Sequence, residues 1–226
     1  FDTLCAANHE HKKLHYKLHN VGSLFERIRS LRRDEDVLCD IALDEPGIHR
    51  LADMILDHCA AEVQIAINSG ADGIGFGDDY GTERGLLMSP EMWRGFFKPR
   101  LTRLFKPAVD AGLDVLFHSC GKLMELLPDF KEVGATAIWP QLPAYNMKEL
   151  AQRCRELKLS VAIHTDRANT MVYGTPQDVK DLVKREYEIF RMWEGGSWFY
   201  VEADNGFPFE NIEALVSAIS EYRRMR

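Results

Sequence analysis

The sequence predicts an α/β protein made of parallel β/α units: a (β/α)8 barrel, carried by six units in a single domain over residues 1–226. Three observations predict it. Short apolar runs alternate with helical patterns along the whole chain, the signature of βαβ architecture. Most of the runs are continuously apolar, as in strands covered on both faces. One joint recurs, in SGADGI (69–74), AGLDVL (111–116) and VGATAI (133–138). Each places a glycine just past a helix, where the chain needs left-handed backbone, and a strand directly after it. The competing architecture is an open, doubly wound sheet. It is disfavoured because the chain has no GxGxxG and no Walker loop. Six units fall two short of a barrel, and no capping helix is expected ahead of the first strand. The chain is therefore expected to be the C-terminal three-quarters of a barrel.

The elements follow in order. KLHYKLHN (13–20) reads as a strand, and 21–31 as a helix with Leu24, Phe25, Ile28 and Leu31 on one face. A long helix is expected from Pro46 to Asn68, striped by Ile48, Leu51, Ile55, Cys59, Val63 and Ile67. DGIGFGDD (72–79) is a short strand. Ser89-Pro90 starts a helix, with serine as the cap and proline in the first turn. That helix is expected to run toward Gly112 with a bend at Pro99. Strand and helix then alternate: DVLFHS (114–119) and 122–133, ATAIWP (135–140) and 146–157, SVAIHT (160–165) and a helix opened by Thr175-Pro176 that reaches about Trp193. WFYVEAD (198–204) is the last strand and 210–225 the closing helix. The segment around His9 and His11 reads as a solvated leader.

Composition narrows the function. The 226 residues are 46% hydrophobic, enough for a large core, and carry a net charge of −7. That balance argues against nucleic acid or an anionic membrane as partner. No apolar run approaches the ~18 residues that span a bilayer, and no signal peptide is visible. The five cysteines (Cys5, Cys39, Cys59, Cys120, Cys154) are odd in number and scattered, which fits a reducing cytoplasm better than a disulfide framework.

In parallel α/β folds, function gathers at the C-terminal ends of the strands. These ends carry His19-Asn20, Asp78-Asp79-Tyr80, His118-Ser119-Cys120, Trp139-Pro140-Gln141, His164-Thr165-Asp166 and Glu202-Ala203-Asp204-Asn205. His118 and Cys120 are the sharpest pair. Residues two apart on a strand share a face, so their nitrogen and sulfur aim at one point, a donor set that zinc accepts. Glu202 and Asp204 share a face by the same alternation and are candidate ligands or acid/base groups. Asp78 and Asp79 must point opposite ways, so only one can face the site. His164 and Asp166 form a weaker pair. Arg84, in the loop after Asp79, is placed to reach an anionic substrate group. Trp93 and Phe97 are expected to pack in the core, and Arg100 to be solvated or salt-bridged.

These residues resemble a known family. GADGIGFGDDYGTERGLLMSPEMWRGFFKPRLTRLF (70–105) followed by AGLDVLFHSCGKLMELLPDFKEVGATAIWPQLP (111–143) is similar to the uroporphyrinogen decarboxylase superfamily. The nearer likeness is to its corrinoid-dependent methyltransferase branch. The resemblance runs from about Gly22 to the end. It implies a (β/α)8 barrel with extra N-terminal segments. It also implies a zinc held by an HxC and a later cysteine, which activates a thiol to accept a methyl group from a corrinoid. His118 and Cys120 match the first two ligands. VEADNG (201–206) stands where the third would be and has no cysteine, so Asp204 or Glu202 would substitute. The expected function is zinc-dependent methyl transfer between a corrinoid, carried on a small partner protein, and a thiol, methoxylated or other methyl-bearing small molecule. Asp78, Asp79, His118 and Asp204 would be catalytic. Tyr80, Arg84, Gln141, His164 and Asp166 would meet the substrate, and a homodimer is the expected assembly. The alternatives are a metal-free decarboxylase of a tetrapyrrole, with Asp78 or Asp79 on the pyrrole N–H groups, and a non-catalytic tetrapyrrole or corrinoid binder.

Overall fold

The computed structural model describes residues 2–11 and 14–223. The chain forms two compact units, 1–138 and 139–226.

The first unit opens with a helix, α1 (Asp2–His11), where a solvated leader was expected. It is tied to the long helix by the Asn8 side chain, which donates to the Ser69 carbonyl at 3.0 Å. The first strand, β1 (Leu18–Gly22), is shorter and later than the 13–20 expected from pattern, and Lys13 lies outside the described residues. The reason is a partner distant in sequence. The Lys17 N–H is taken by the Asp72 carboxylate at 2.9 Å, and the pairing register with the next strand begins at Leu18. Then come α2 (Phe25–Leu31) and α3 (Asp34–Ala42). The second was not foreseen. Its first turn holds Asp34, Glu35 and Asp36, favourable at a helix N-terminus, and Val37 and Ile41 bury its one apolar edge.

The long helix α4 (Pro46–Ser69) matches its stripe and ends on Gly70, at φ +73°. After β2 (Gly73–Gly77) the expected single bent helix is two: α5 (Pro90–Phe96) and α6 (Lys98–Asp110). Ser89 caps α5 by accepting from the Met92 N–H at 3.2 Å. Pro99 sits in the first turn of α6, where its missing N–H costs nothing. The next strand, β3 (Asp114–Ser119), has the bounds read from sequence. Past it lie a 3-10 turn at Met124–Leu126 and α7 (Leu127–Glu132), which starts late because Pro128 fits only a first turn.

In this unit β1, β2 and β3 pair in sequence order and in parallel. The recurring glycines Gly70, Gly112 and Gly134 all have positive φ (73°, 78° and 108°). Side chains alternate across the sheet. Ile74, Phe76, Val115 and Phe117 are buried under the helices. The layer between sheet and helices is strongly aromatic: Phe117 stacks on Phe130 at 4.5 Å, and Tyr80, Phe97, Trp93 and Phe105 join the same network. Trp93 and Phe97 are fully buried core residues. Each such ring contributes roughly 1.5–3 kcal/mol through burial.

The strand β4 (Ala137–Pro140) carries the chain from one unit into the other. The second unit holds α8 (Met147–Leu157), β5 (Ser160–His164), the short α9 (Thr170–Tyr173), α10 (Pro176–Ile189), β6 (Ser197–Tyr200) and α11 (Phe209–Arg223). Thr175 and Asp178 form a reciprocal capping box at the start of α10. That helix stops at Ile189, short of the expected Trp193, and a 3-10 turn at Met192–Glu194 follows. Here β5 and β6 pair in parallel. Met171, Val179, Val183, Ala214 and Leu215 form the core, with Phe199 of β6 packed against it. Among the described residues no helix is long and apolar enough to cross a membrane.

Candidate metal centre

Strand register builds the site. In β2 and β3 Gly77 lies opposite His118, and the Asp78 N–H still donates to the His118 carbonyl at 3.0 Å beyond the last paired residue. Two residues further along each strand stand Asp79 and Cys120. Their side chains fall on the face opposite Phe76, Phe117 and the helices. The Cys120 N–H donates to Asp79 Oδ1 at 2.7 Å, which fixes that carboxylate over the strand end. His118 Nε2 lies 3.6 Å from Asp79 Oδ1 and 3.6 Å from Cys120 Sγ. All three donor atoms lie within 4.8 Å of one another, and all three residues are half-buried. A Cβ added at Gly77 would stand in ordinary van der Waals contact with His118, at 3.5 Å.

The loops are clasped just beyond. Gly121, at φ +80°, lies so close to the other loop that a Cβ would come within 2.2 Å of the Gly81 carbonyl carbon. The Lys122 N–H donates to the Thr82 carbonyl at 2.8 Å, and the Tyr80 N–H to Ser119 Oγ at 3.1 Å. Backbone thus locks the turn after β2 to the turn after β3, and Asp79 to Cys120.

Asp78, expected among the catalytic residues, turns the opposite way, into the helix layer. It is fully buried. Its carboxylate accepts from the Leu24 N–H at 3.0 and 3.1 Å, from the Glu26 N–H at 3.0 Å and from the Tyr80 hydroxyl at 2.8 Å. It ties the end of β2 to the start of α2. Burial pushes its pKa up to about 7, against these hydrogen bonds, which pull it down. Tyr80, expected at the substrate, lies in the core at 0% exposure. Burial and the adjacent Asp78 drive its phenol well above the usual range. Arg84 is exposed on its loop, which is held by the Thr82 hydroxyl. Arg100 is salt-bridged, as expected, but nearly buried. It pairs with Asp53 at 3.2 Å and lies over the Phe96 ring at 4.2 Å. Cys59 and Cys154 are packing residues whose thiols burial pushes up to about 11 and about 12.

The remaining sequence candidates lie in the second unit. Glu202, considered as a ligand, is committed elsewhere: His164 Nε2 lies 3.0 Å from its Oε2, and Arg167 donates to the same oxygen at 3.2 Å. Asp204 is exposed and accepts from the Asn205 N–H. Asp166 accepts from the N–H groups of Ala168, Asn169 and Thr170 and so shapes its own loop. Gln141 is half-buried after Pro140. Among the described residues, the carboxylate gathered with His118 and Cys120 is that of Asp79, a residue the sequence marks as a catalytic candidate. The signal for it was present: equal offsets past two strands that pair.

A parallel α/β fold with Asp, His and Cys donors gathered at neighbouring strand ends defines the class, a β/α scaffold built to hold chemistry at its strand termini. Residues 29–222 match the family described as uroporphyrinogen decarboxylase (URO-D), and the chain belongs to that family. No curated protein matches it by sequence. Among solved structures it is similar to a methyltransferase from Methanosarcina mazei, with a TM-score of 0.73 at 17% identity over 98% of this chain and 64% of that one. It is also similar to a dihydropteroate synthase from Anaplasma phagocytophilum, with a TM-score of 0.55 at 12% identity over 92% and 76%. A third likeness is to the Xanthomonas albilineans dihydropteroate synthase, with a TM-score of 0.53 at 12% identity over 91% and 65%. These likenesses establish the α/β fold of barrel type. The chain spans just under two-thirds of the length of the Methanosarcina protein.

Proposed function

We propose that this chain bears the metal centre of a zinc-dependent methyltransferase, which moves a methyl group between a corrinoid and a thiol, methoxylated or other methyl-bearing small molecule. One observation carries the reading: Asp79 Oδ1, His118 Nε2 and Cys120 Sγ converge on a single point. Zinc bonds of roughly 2.0–2.3 Å in a tetrahedral arrangement put neighbouring donors about 3.3–3.8 Å apart. The two separations of 3.6 Å at His118 fit that range. Three protein donors of mixed O, N and S type also suit a catalytic rather than a closed structural site. The likeness to the Methanosarcina methyltransferase supports methyl transfer over decarboxylation.

Zinc bound there would supply Lewis acidity to the heteroatom that gives or receives the methyl group. The chain's own part is positional. The Cys120 N–H orients Asp79. The Gly81/Gly121 contact keeps the two loops in register. Arg84, exposed on the same loop as Asp79, would meet an anionic group of the substrate. A small corrinoid-carrying protein is the proposed partner, a homodimer the proposed assembly, and a reducing cytoplasm the proposed setting for five free thiols. Under the decarboxylase alternative Asp79 is the carboxylate available to a pyrrole, because Asp78 is buried.

The test is zinc content by elemental analysis of protein purified without a His-tag, together with methyl transfer from methylcobalamin to a thiol followed by absorbance. The expected result is about one zinc per chain, lost in Cys120→Ser along with transfer, while the far-UV dichroism is unchanged. Zinc and activity both retained in Cys120→Ser would defeat the reading.

A further inference from the structure

The end of β5, in the second unit, holds a histidine that the metal centre does not use. In the β5–β6 register Ile163 lies opposite Phe199 and His164 opposite Tyr200. Phe199 packs against the core under the helices, so His164 and Tyr200 take the other face. His164 is the last residue of β5, and in parallel α/β folds the groups that do chemistry stand at such ends. It is 7% exposed. The ring of Trp139 from β4 and the ring of Tyr200 from β6 flank it. The charged groups around it are Glu202, past the end of β6, and Arg167 of its own loop. Asp166, next in that loop, turns back onto the N–H groups of Ala168, Asn169 and Thr170.

The two ring nitrogens are treated differently. Nε2 lies 3.0 Å from Glu202 Oε2, and Arg167 donates to that same oxygen at 3.2 Å. An ionised carboxylate can only accept. Nε2 therefore carries the hydrogen, and the neutral ring keeps its lone pair on Nδ1. Among the described residues Nδ1 has no hydrogen-bond partner, yet it is not sealed from water. The buried side-chain atoms there that lack a partner are Trp93 Nε1 and Glu186 Oε2. Packing alone asks for neither the carboxylate nor the bare nitrogen. A nearly buried imidazole, held by a carboxylate on one side and open on the other, is arranged as a general base.

Methyl transfer to a thiol calls for such a group. The sulfur forms one bond to carbon and gives up its bond to hydrogen, while the electron pair that held the methyl group stays with the donor. One proton per turnover must leave the sulfur. We propose that His164 Nδ1 takes this proton from the thiol acceptor, and that Glu202 is the positioning residue that fixes the ring's tautomer and angle, a role that rests on the methyl-transfer reading and adds its base. All the groups that build the base belong to the second unit.

The test uses the full chain in two states. In the metal-free protein, nitrogen NMR of the neutral His164 ring should show hydrogen on Nε2 and none on Nδ1. Adding 2-mercaptoethanol should shift the Nδ1 resonance, and Glu202→Gln should mix the two tautomers. In the zinc-loaded protein, the kcat for methyl transfer from methylcobalamin to 2-mercaptoethanol should fall about a hundredfold in His164→Ala, the low end of what a positioned base supplies. The KM for the thiol and the zinc content should stay as in the parent. Free imidazole should restore about tenfold of that loss and leave the parent unchanged. His58→Ala, exposed on α4, should match the parent. Hydrogen on Nδ1 in the parent, a His164→Ala kcat within about threefold of the parent's, or a loss that imidazole does not restore would overturn the assignment. If His164→Ala does not fold, the NMR of the parent chain decides. A parent that transfers no methyl group yet shifts Nδ1 with the thiol sinks the methyl-transfer reading alone, and transfer that survives His164→Ala sinks the base alone.

Discussion

Two adjacent aspartates should respond to the same substitution in opposite ways. Asp78→Ala removes the acceptor for the Leu24 and Glu26 N–H groups and for the Tyr80 hydroxyl. Each donor left buried costs roughly 1–3 kcal/mol. Against that stands a relief, because the carboxyl is fully buried and its pKa is pushed from 3.8 up to about 7. The folded protein holds a proton that the unfolded chain has lost between those values, so this group's contribution to stability falls as pH rises through the window. At pH 5.5 the relief is about 2 kcal/mol, and a net loss of about 3 kcal/mol is expected. The loss should shrink toward pH 8. Asp79→Ala should cost the metal-free protein no more than about 1 kcal/mol, the typical net value of one hydrogen bond, here that from the Cys120 N–H. It should instead abolish tight zinc binding. Urea midpoints by far-UV dichroism at pH 5.5 and 8, and zinc competition with a chromophoric chelator, measure both arms. The assignment of roles fails if Asp79→Ala destabilises the metal-free chain as much as Asp78→Ala does, or if Asp78→Ala loses zinc affinity without losing stability.

Two further outcomes follow from the structure. Gly121→Ala places a methyl group 2.2 Å from the Gly81 carbonyl carbon in a backbone region hostile to L-residues. It should destabilise by several kcal/mol and weaken zinc binding, whereas Gly85→Ala, with nothing within 4 Å of its added methyl, should do neither; unchanged zinc affinity in Gly121→Ala would show that the clasp does not position Cys120. Glu186 is buried, its Oε2 has no hydrogen-bond partner among the described residues, and burial pushes its pKa from 4.5 up to about 8. Stability should therefore fall as pH rises from about 5 to 8, and Glu186→Gln should gain about 4 kcal/mol at pH 8 but little at pH 5, so an equal gain at both values in urea titrations would refute the buried-charge account.

Much of the fold was legible because its signals are local. The bounds of β3 came directly from DVLFHS, and the three glycines that close helices onto strands have the left-handed backbone their position demands. The misses share a cause. The helices α1 and α3 are short, polar segments held by partners distant in sequence, Ser69 for Asn8 and the packing around Val37 and Ile41, and periodicity cannot see a partner. The start of β1 was misplaced for the same reason: Asp72, 55 residues away, captures the Lys17 N–H.

The site shows where that limit lies. Alternation within one strand was enough to put His118 and Cys120 on one face, and to require that Asp78 and Asp79 part company. It could not say which aspartate went which way, because that depends on the register between strands. Pairing Gly77 with His118 decides it. Once that register is set, Asp79 must stand beside Cys120, and Asp78 must turn into the helix layer. There a carboxylate survives only if hydrogen-bonded, and the free N–H groups around the start of α2 supply those bonds. The same register places a carboxylate beside the HxC from the neighbouring strand. A parallel pair offers two donors at equal offset for no extra chain, so an aspartate two residues past the strand next to an HxC is already in place.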